Sequence, residues 1–324
     1  MQTLLHNTRA YKLLQAEAEK GRLAHAYLLL FDDARNLRAA LKTFAKPILC
    51  AGVEREKTAR ICTLIENESF SDCLFYPSEN GKKFVVEDAE RVAEECALQA
   101  VEGERKVFVI GDFSEATPAA QNKLLKLLEE PPEGVVFLLG ATTAFSVLTT
   151  VLSRVEKLEI SAFSVEEVFG ALSRIYEGGR YGTNEFSLCA AACGGSLGEA
   201  QNALEGGDAA TLIADAFSLA LAEEKMLPSL VRRIGETKQK KRLLSLLRIV
   251  YRDALLVKEG ICGVFLTSEL GNVEKLAQKR TVRALLFAQK ALTEAERELF
   301  FNAVFPQCLE TLLAGIYREN QKKE

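Results

Sequence analysis

The chain has 324 residues, of which 48% are hydrophobic and 27% charged, with a formal net charge of −4. That length suits about two or three domains with real cores. The charge excludes a chain-wide basic surface able to hold DNA unaided. With two histidines, His6 and His25, histidine catalysis and multi-histidine metal sites are nearly excluded. The eight cysteines, Cys50, Cys62, Cys73, Cys96, Cys189, Cys193, Cys262 and Cys308, are scattered, with no secretory leader and no apolar run of spanning length. Free thiols, a cytoplasmic location and no membrane contact are therefore expected.

In chain order, short β-type runs fall at Ala26–Leu30, Cys73–Tyr76, Val107–Ile110, Val135–Leu139 and Lys157–Ile160. Helical stretches lie between them, among them Leu37–Leu49 and Glu87–Ala100. Strands alternating with helices predict a parallel sheet covered on both faces, and the unbroken apolar runs suit strands buried on both sides. One helix is sharply delimited. Thr117 suits the N-cap and Pro118 the first helical position, Leu124, Leu125, Leu127 and Leu128 supply the buried side, and Pro131-Pro132 end it.

After Ser161 the pattern is wholly helical. Ser164-Val165-Glu166-Glu167 reads as a capping box, and Gly194-Gly195 and Gly206-Gly207 punctuate the region. The expected organisation is an α/β domain over 1–160, a small helical lid over 161–206, and an all-α collar over 207–324 that mediates oligomerisation.

Three motifs occur in order: His25-Ala26-Tyr27-Leu28, then Asn122-Lys123-Leu124-Leu125-Lys126-Leu127-Leu128-Glu129-Glu130-Pro131-Pro132, then Leu152-Ser153-Arg154. Singly, each has a plain structural reading: a histidine at a strand start, a core helix, a surface arginine. Together, at this spacing, they resemble the AAA+ subunits of bacterial DNA polymerase III clamp loaders.

The resemblance implies a nucleotide site directly after the first strand. A phosphate-binding loop needs glycines where its backbone meets phosphate, a lysine for the terminal phosphates and a hydroxyl for Mg²⁺. Here Phe31 and Asn36 align with the glycines, Leu37 with the lysine and Arg38 with the hydroxyl residue, while Asp32 and Asp33 add negative charge. Gly111 stands at the metal-binding position and Asp112 at that of the water-polarising glutamate. Gly198 replaces a nucleotide-sensing arginine. Within the family this combination belongs to the delta-prime type, which does not hydrolyse ATP. Neither ATP nor any other cofactor is expected.

The resemblance further implies that Arg154, beside Ser153, acts in trans as an arginine finger for a neighbouring ATPase subunit. The implied partners are the ATP-hydrolysing gamma/tau type subunits and the delta subunit, with the sliding clamp and primer–template DNA met inside the complex. The chain would be an accessory subunit of a DNA polymerase holoenzyme with no activity of its own. Two other readings stand beside this one: a divergent but active clamp-loader ATPase, and an AAA+-derived scaffold outside replication. The missing lysine, metal ligand and sensor arginine oppose the first, and Ser153-Arg154 beside the Leu-rich motif opposes the second.

Clamp-loader subunits commonly carry a four-cysteine zinc module. Cys50 and Cys62 are assigned its outer positions, the inner thiols are missing, and Cys73 lies beyond on a strand, so no zinc is expected. Lys238-Gln239-Lys240-Lys241-Arg242, after Arg232-Arg233, reads as a solvated helix entrance in preference to a face for DNA or an acidic partner; no aromatic residue is interleaved, so base stacking is not expected, and direct DNA contact by this run is left open. DNA contact by Lys123 or Lys126 is left open.

Overall fold

The computed structural model describes residues 1–179, 181–206, 209–264, 266, 269–301 and 303–322. They form two compact units, Met1–Ala162 and Phe163–Glu324.

The first unit opens with α1 (Gln2–Asn7) and α2 (Arg9–Glu19), followed by β1 (Ala26–Phe31), α3 (Leu37–Cys50), α4 (Arg55–Glu66), β2 (Cys73–Tyr76) and α5 (Val86–Cys96). Then come β3 (Lys106–Asp112), α6 (Pro118–Glu129), β4 (Val135–Ala141), α7 (Thr149–Leu152) and β5 (Glu156–Ile160). The five strands form one parallel sheet in the order β2-β3-β4-β1-β5. This is the α/β unit with a parallel sheet that the alternating pattern predicts. Along β3 and β4 both side-chain faces are buried, which explains their unbroken apolar runs. Leu28, Phe108, Ile110, Phe137 and Leu139 share a core with Ala89 and Val92 of α5 and Leu124 and Leu128 of α6.

On the other face α3 packs against β3 and β4. A Cβ on Gly140 would stand 2.7 Å from Cδ1 of Leu41, so glycine lets α3 sit close on the sheet. Some boundaries differ from the expectation. α5 stops at Cys96, four residues before Ala100, and β1 runs on through Phe31.

The second unit is all helical: α8 (Val165–Ile175), α9 (Thr183–Ala192), α10 (Leu197–Gly206), α11 (Ala209–Leu221), α12 (Leu227–Ile234), α13 (Lys240–Lys258), α14 (Leu270–Lys279), α15 (Val282–Phe300) and α16 (Phe305–Gln321). The expected capping box is present: Ser164 Oγ accepts from Glu167 N at 3.2 Å, and Ser164 N donates to Glu167 Oε2 at 2.8 Å. Ala191 and Ala192 of α9 belong to the same apolar cluster as α11, α13, α15 and α16. Gly207, at the expected lid–collar boundary, lies outside the described residues. Arg242 departs from the solvated reading of the basic run. It is 9% exposed on α13, with Nε 3.9 Å from Glu199 Oε2. No helix of the described residues is long and apolar enough to cross a membrane.

Candidate functional site

The strand–loop–helix expected at the nucleotide site exists, because β1 leads through five residues into α3. Its chemistry is altered at each position. Phe31, aligned with a loop glycine, is the last residue of β1 and is buried. Asn36 is the N-cap of α3, and Leu37, in the lysine position, is 2% exposed. The N–H groups opening a helix are a natural anion site. Just before them Asp33, 3% exposed, accepts from the N-cap residue, from Asn36 N at 3.1 Å and from Asn36 Nδ2 at 2.9 Å.

Arg38, in the hydroxyl position, points into a salt-bridged network. Its Nε donates to Glu68 Oε1 at 2.7 Å, its Nη2 pairs with Glu68 Oε2, and its Nη1 donates to the Pro77 carbonyl at 3.0 Å. Lys42 adds a contact to Glu68 at 2.9 Å. Hydrogen bonding from Arg38, reinforced by Lys42, holds the Glu68 carboxyl below its ordinary value.

Asp112 is similarly engaged. Its carboxylate accepts from Ser114 N at 3.1 Å, from the Ser114 hydroxyl, and from Thr142 N and Oγ1 at 3.3 and 3.2 Å. It clamps the ends of β3 and β4 together. Gly111 has room for a Cβ, since the nearest atom would be Tyr76 O at 3.5 Å. The cleft between these groups is about 240 Å³ and is lined by Ala34, Leu37, Arg38, Pro77, Gly111 and Asp112, among others. Lys82 and Lys83 at its rim pair with Glu79 and Glu115. No lysine stands in the first turn of α3, and the carboxylate nearest its start, Asp33, is bonded to the N-cap residue Asn36. Gly198 lies in the first turn of α10 in the second unit.

The Ser153–Arg154 pair is built by local geometry. Leu148 precedes the one-turn helix α7, and Ser153 is its C-cap. Arg154 Nη1 donates to the Thr150 carbonyl at 2.6 Å and to Ser153 Oγ at 3.1 Å, so the serine orients the guanidinium. Arg154 Nη2 lies 2.5 Å from Glu129 Oε1, on the last residue of α6. Two of the three motifs thus meet. α6 itself starts as expected, with Thr117 Oγ1 accepting from Ala120 N at 3.2 Å and Pro118 in the first turn. Leu124 and Leu128 are buried, whereas Leu125 and Leu127 are half-buried. Lys123 pairs with Glu90 at 3.1 Å, and Lys126 is exposed.

One positioning residue had no reading in the sequence. Gln121, 1% exposed, donates to the carbonyls of Ala116 and Ser146 at 3.2 and 3.1 Å and accepts from Leu148 N at 2.9 Å. It fastens the loop before α7 to α6. The available signal was a polar residue on the helix face that also carries Leu124 and Leu128. In the first motif Tyr27 is the anchored residue: its buried hydroxyl donates to Glu17 Oε2 at 2.7 Å and accepts from Ala24 N at 2.8 Å. The His25 side chain is exposed while its carbonyl joins the ladder to Phe137 N.

Cys50 and Cys62 lie together, Sγ to Sγ 3.9 Å, whereas Cys73 is buried on β2 with its thiol pushed up by burial. Among the described residues no group of three or more His, Cys, Asp or Glu side chains is placed to hold a metal ion.

Residues 6–164 match the family described as DNA polymerase III, delta subunit. The chain is 30% identical over 152 residues to DNA polymerase III subunit delta' of Bacillus subtilis, covering 46% of each chain. It is 28% identical over 161 residues to the delta' subunit of Haemophilus influenzae, covering 49% of each. Against subunit tau of Bacillus subtilis it is 26% identical over 201 residues, 60% of this chain and 35% of that one. The chain therefore spans between a third and a half of the length of these relatives. The family match falls on the parallel-sheet unit that carries all three motifs, and it is this unit that is similar to DNA polymerase III delta and delta' subunits.

Proposed function

We propose that the chain is a non-hydrolysing, delta-prime type subunit of a DNA polymerase III clamp loader. In this reading it binds no nucleotide or zinc of its own and offers Arg154 to ATP held by a neighbouring gamma/tau type subunit. The delta subunit, the sliding clamp and primed DNA are its further partners in the assembly. The observation that supports the reading is a contrast within one unit: no lysine stands in the first turn of α3, while Ser153 and a one-third exposed Arg154 form an ordered turn.

The electrostatic logic is simple. Phosphoryl transfer concentrates negative charge on the γ-phosphoryl oxygens, and a guanidinium delivered from outside stabilises it. Arg154 is held meanwhile by Glu129 in a part-exposed pair worth about 0–1 kcal/mol, so exchange for a phosphate costs little. Ser153 keeps the guanidinium oriented during the exchange. The proposed collar role of residues 207–324 is supported by the helical core that α11, α13, α15 and α16 share. The test is co-purification with clamp-loader ATPase subunits combined with an ATP-binding titration of the isolated chain. Stable association with no binding at micromolar ATP is expected. Tight ATP binding by the isolated chain, or failure to associate, would contradict the proposal.

A further inference from the structure

Residues 38, 42, 46 and 50 are spaced four apart on α3 and therefore line one stripe of it. Each meets a partner on α4 or just after it. Arg38 and Lys42 pair with Glu68, Lys46 pairs with Glu66, and Cys50 lies 3.9 Å from Cys62, Sγ to Sγ. Three rungs of this ladder are ionic and the last is a pair of thiols. Both thiols are only half-buried, whereas Cys73, Cys96, Cys189, Cys193 and Cys308 are buried and Cys262 is exposed. A disulfide needs its sulfurs at about 2.05 Å, and these two stand 3.9 Å apart on helices that pack together.

We propose that Cys50 and Cys62 are a modification site, a dithiol that closes to an intrachain disulfide when offered a disulfide oxidant of the glutathione class. The Cys62 thiolate attacks one sulfur of the oxidant, its S–S bond breaks, and one glutathione leaves and takes up a proton. Cys50 then loses its proton and attacks the Cys62 sulfur, releasing the second glutathione. Two electrons pass from the dithiol to the oxidant, so one disulfide and two thiols stand on each side. The order follows from the surroundings. Burial, together with the Cys62 sulfur, pushes the Cys50 thiol up to about 12, which disfavours its thiolate while Cys62 is reduced. Once Cys62 is in a mixed disulfide its contribution is gone, and the nearby Lys46 ammonium favours the Cys50 thiolate. The product replaces the last rung of the ladder by a covalent one and locks α4 to the helix that opens at the altered nucleotide position.

The test is titration of the reduced full chain with oxidised glutathione, followed by thiol counting, metal analysis and peptide mapping. Expected is a fall of two thiols per chain from this pair, a Cys50–Cys62 linked peptide, and recovery with dithiothreitol. Cys62→Ser should abolish the link, and Cys50→Ser should leave glutathione trapped on Cys62. Exposed Cys262 acts as the internal control, taking up glutathione without an intrachain link. Stable glutathione on Cys62 of the unaltered chain with no link would overturn the proposal. So would one zinc per chain in the purified protein, released by Cys62→Ser, because the pair would then be metal ligands.

Discussion

Arg154 Nη2 lies 2.5 Å from Glu129 Oε1, joining the end of α6 to the turn after α7. The side chains are 32% and 49% exposed, so the pair is screened by water and stabilises little. Glu129→Gln should change folding stability by no more than about 1 kcal/mol. In a reconstituted clamp loader it should leave ATP turnover within about twofold of the unaltered complex, since freeing the guanidinium alters only a weak competitor. Urea denaturation and steady-state turnover check both expectations. A large loss of turnover would mean that Glu129 itself acts on the neighbour's nucleotide.

Arg38 is predicted to contribute to stability rather than to nucleotide chemistry. Arg38→Ala removes hydrogen bonds to Glu68 and to the Pro77 and Ser78 carbonyls, at a cost of about 1–3 kcal/mol. The Glu68 carboxyl is lowered in the folded chain, chiefly by its hydrogen bonds from Arg38. Its contribution is therefore present above the unfolded carboxyl value and is lost as pH falls through the lower folded one. Urea midpoints between neutral pH and about pH 3 should fall less steeply for Arg38→Ala than for the unaltered chain. Equal slopes would refute the assignment.

Gln121 should matter at a distance from its own position. Gln121→Leu strands the Leu148 N–H and two carbonyls, costing about 1–3 kcal/mol, and loosens the loop that sets α7. Turnover of the reconstituted complex should drop although no charged group is lost, and Gln121→Glu, which keeps one acceptor for Leu148 N, should retain more of it than the leucine variant. Hydrogen exchange across residues 142–154 reports the loosening directly.

The first unit should fold alone. Its sheet core is assembled from residues before Ala162, whereas the α9 alanines share a core with the later helices. A chain ending at Ala162 should keep a cooperative thermal transition and fail to join the clamp loader. One ending at Gly206 should expose the apolar face of α9 and aggregate. Circular dichroism and size-exclusion chromatography distinguish these outcomes.

Local chemistry made much of this fold readable. The strands show as apolar runs, α6 is bounded by Thr117, Pro118 and Pro131, and the Ser164 capping box lies within four residues. What escaped reading depends on partners far along the chain. Arg38 meets Glu68 thirty residues on, Gln121 holds a loop twenty-five residues away, and Arg242 is buried beside Glu199. Periodicity carries no information about such pairs. Asp33 was legible as a negative charge in the wrong place for phosphate, but its capture of Asn36 N–H emerged only with the turn geometry.

The most direct test of the account is steady-state ATP hydrolysis by the reconstituted clamp loader carrying Arg154→Ala, at saturating ATP, clamp and primed DNA, with assembly verified by size-exclusion chromatography. An arginine finger supplied by a neighbour accelerates phosphoryl transfer by about 10³–10⁵ in GTPases, so turnover at the site served by Arg154 should collapse. Arg154→Lys should not restore it, because the planar, bidentate fork is lost. Full assembly with deeply reduced hydrolysis is the predicted result. Full assembly with unchanged hydrolysis would contradict the account.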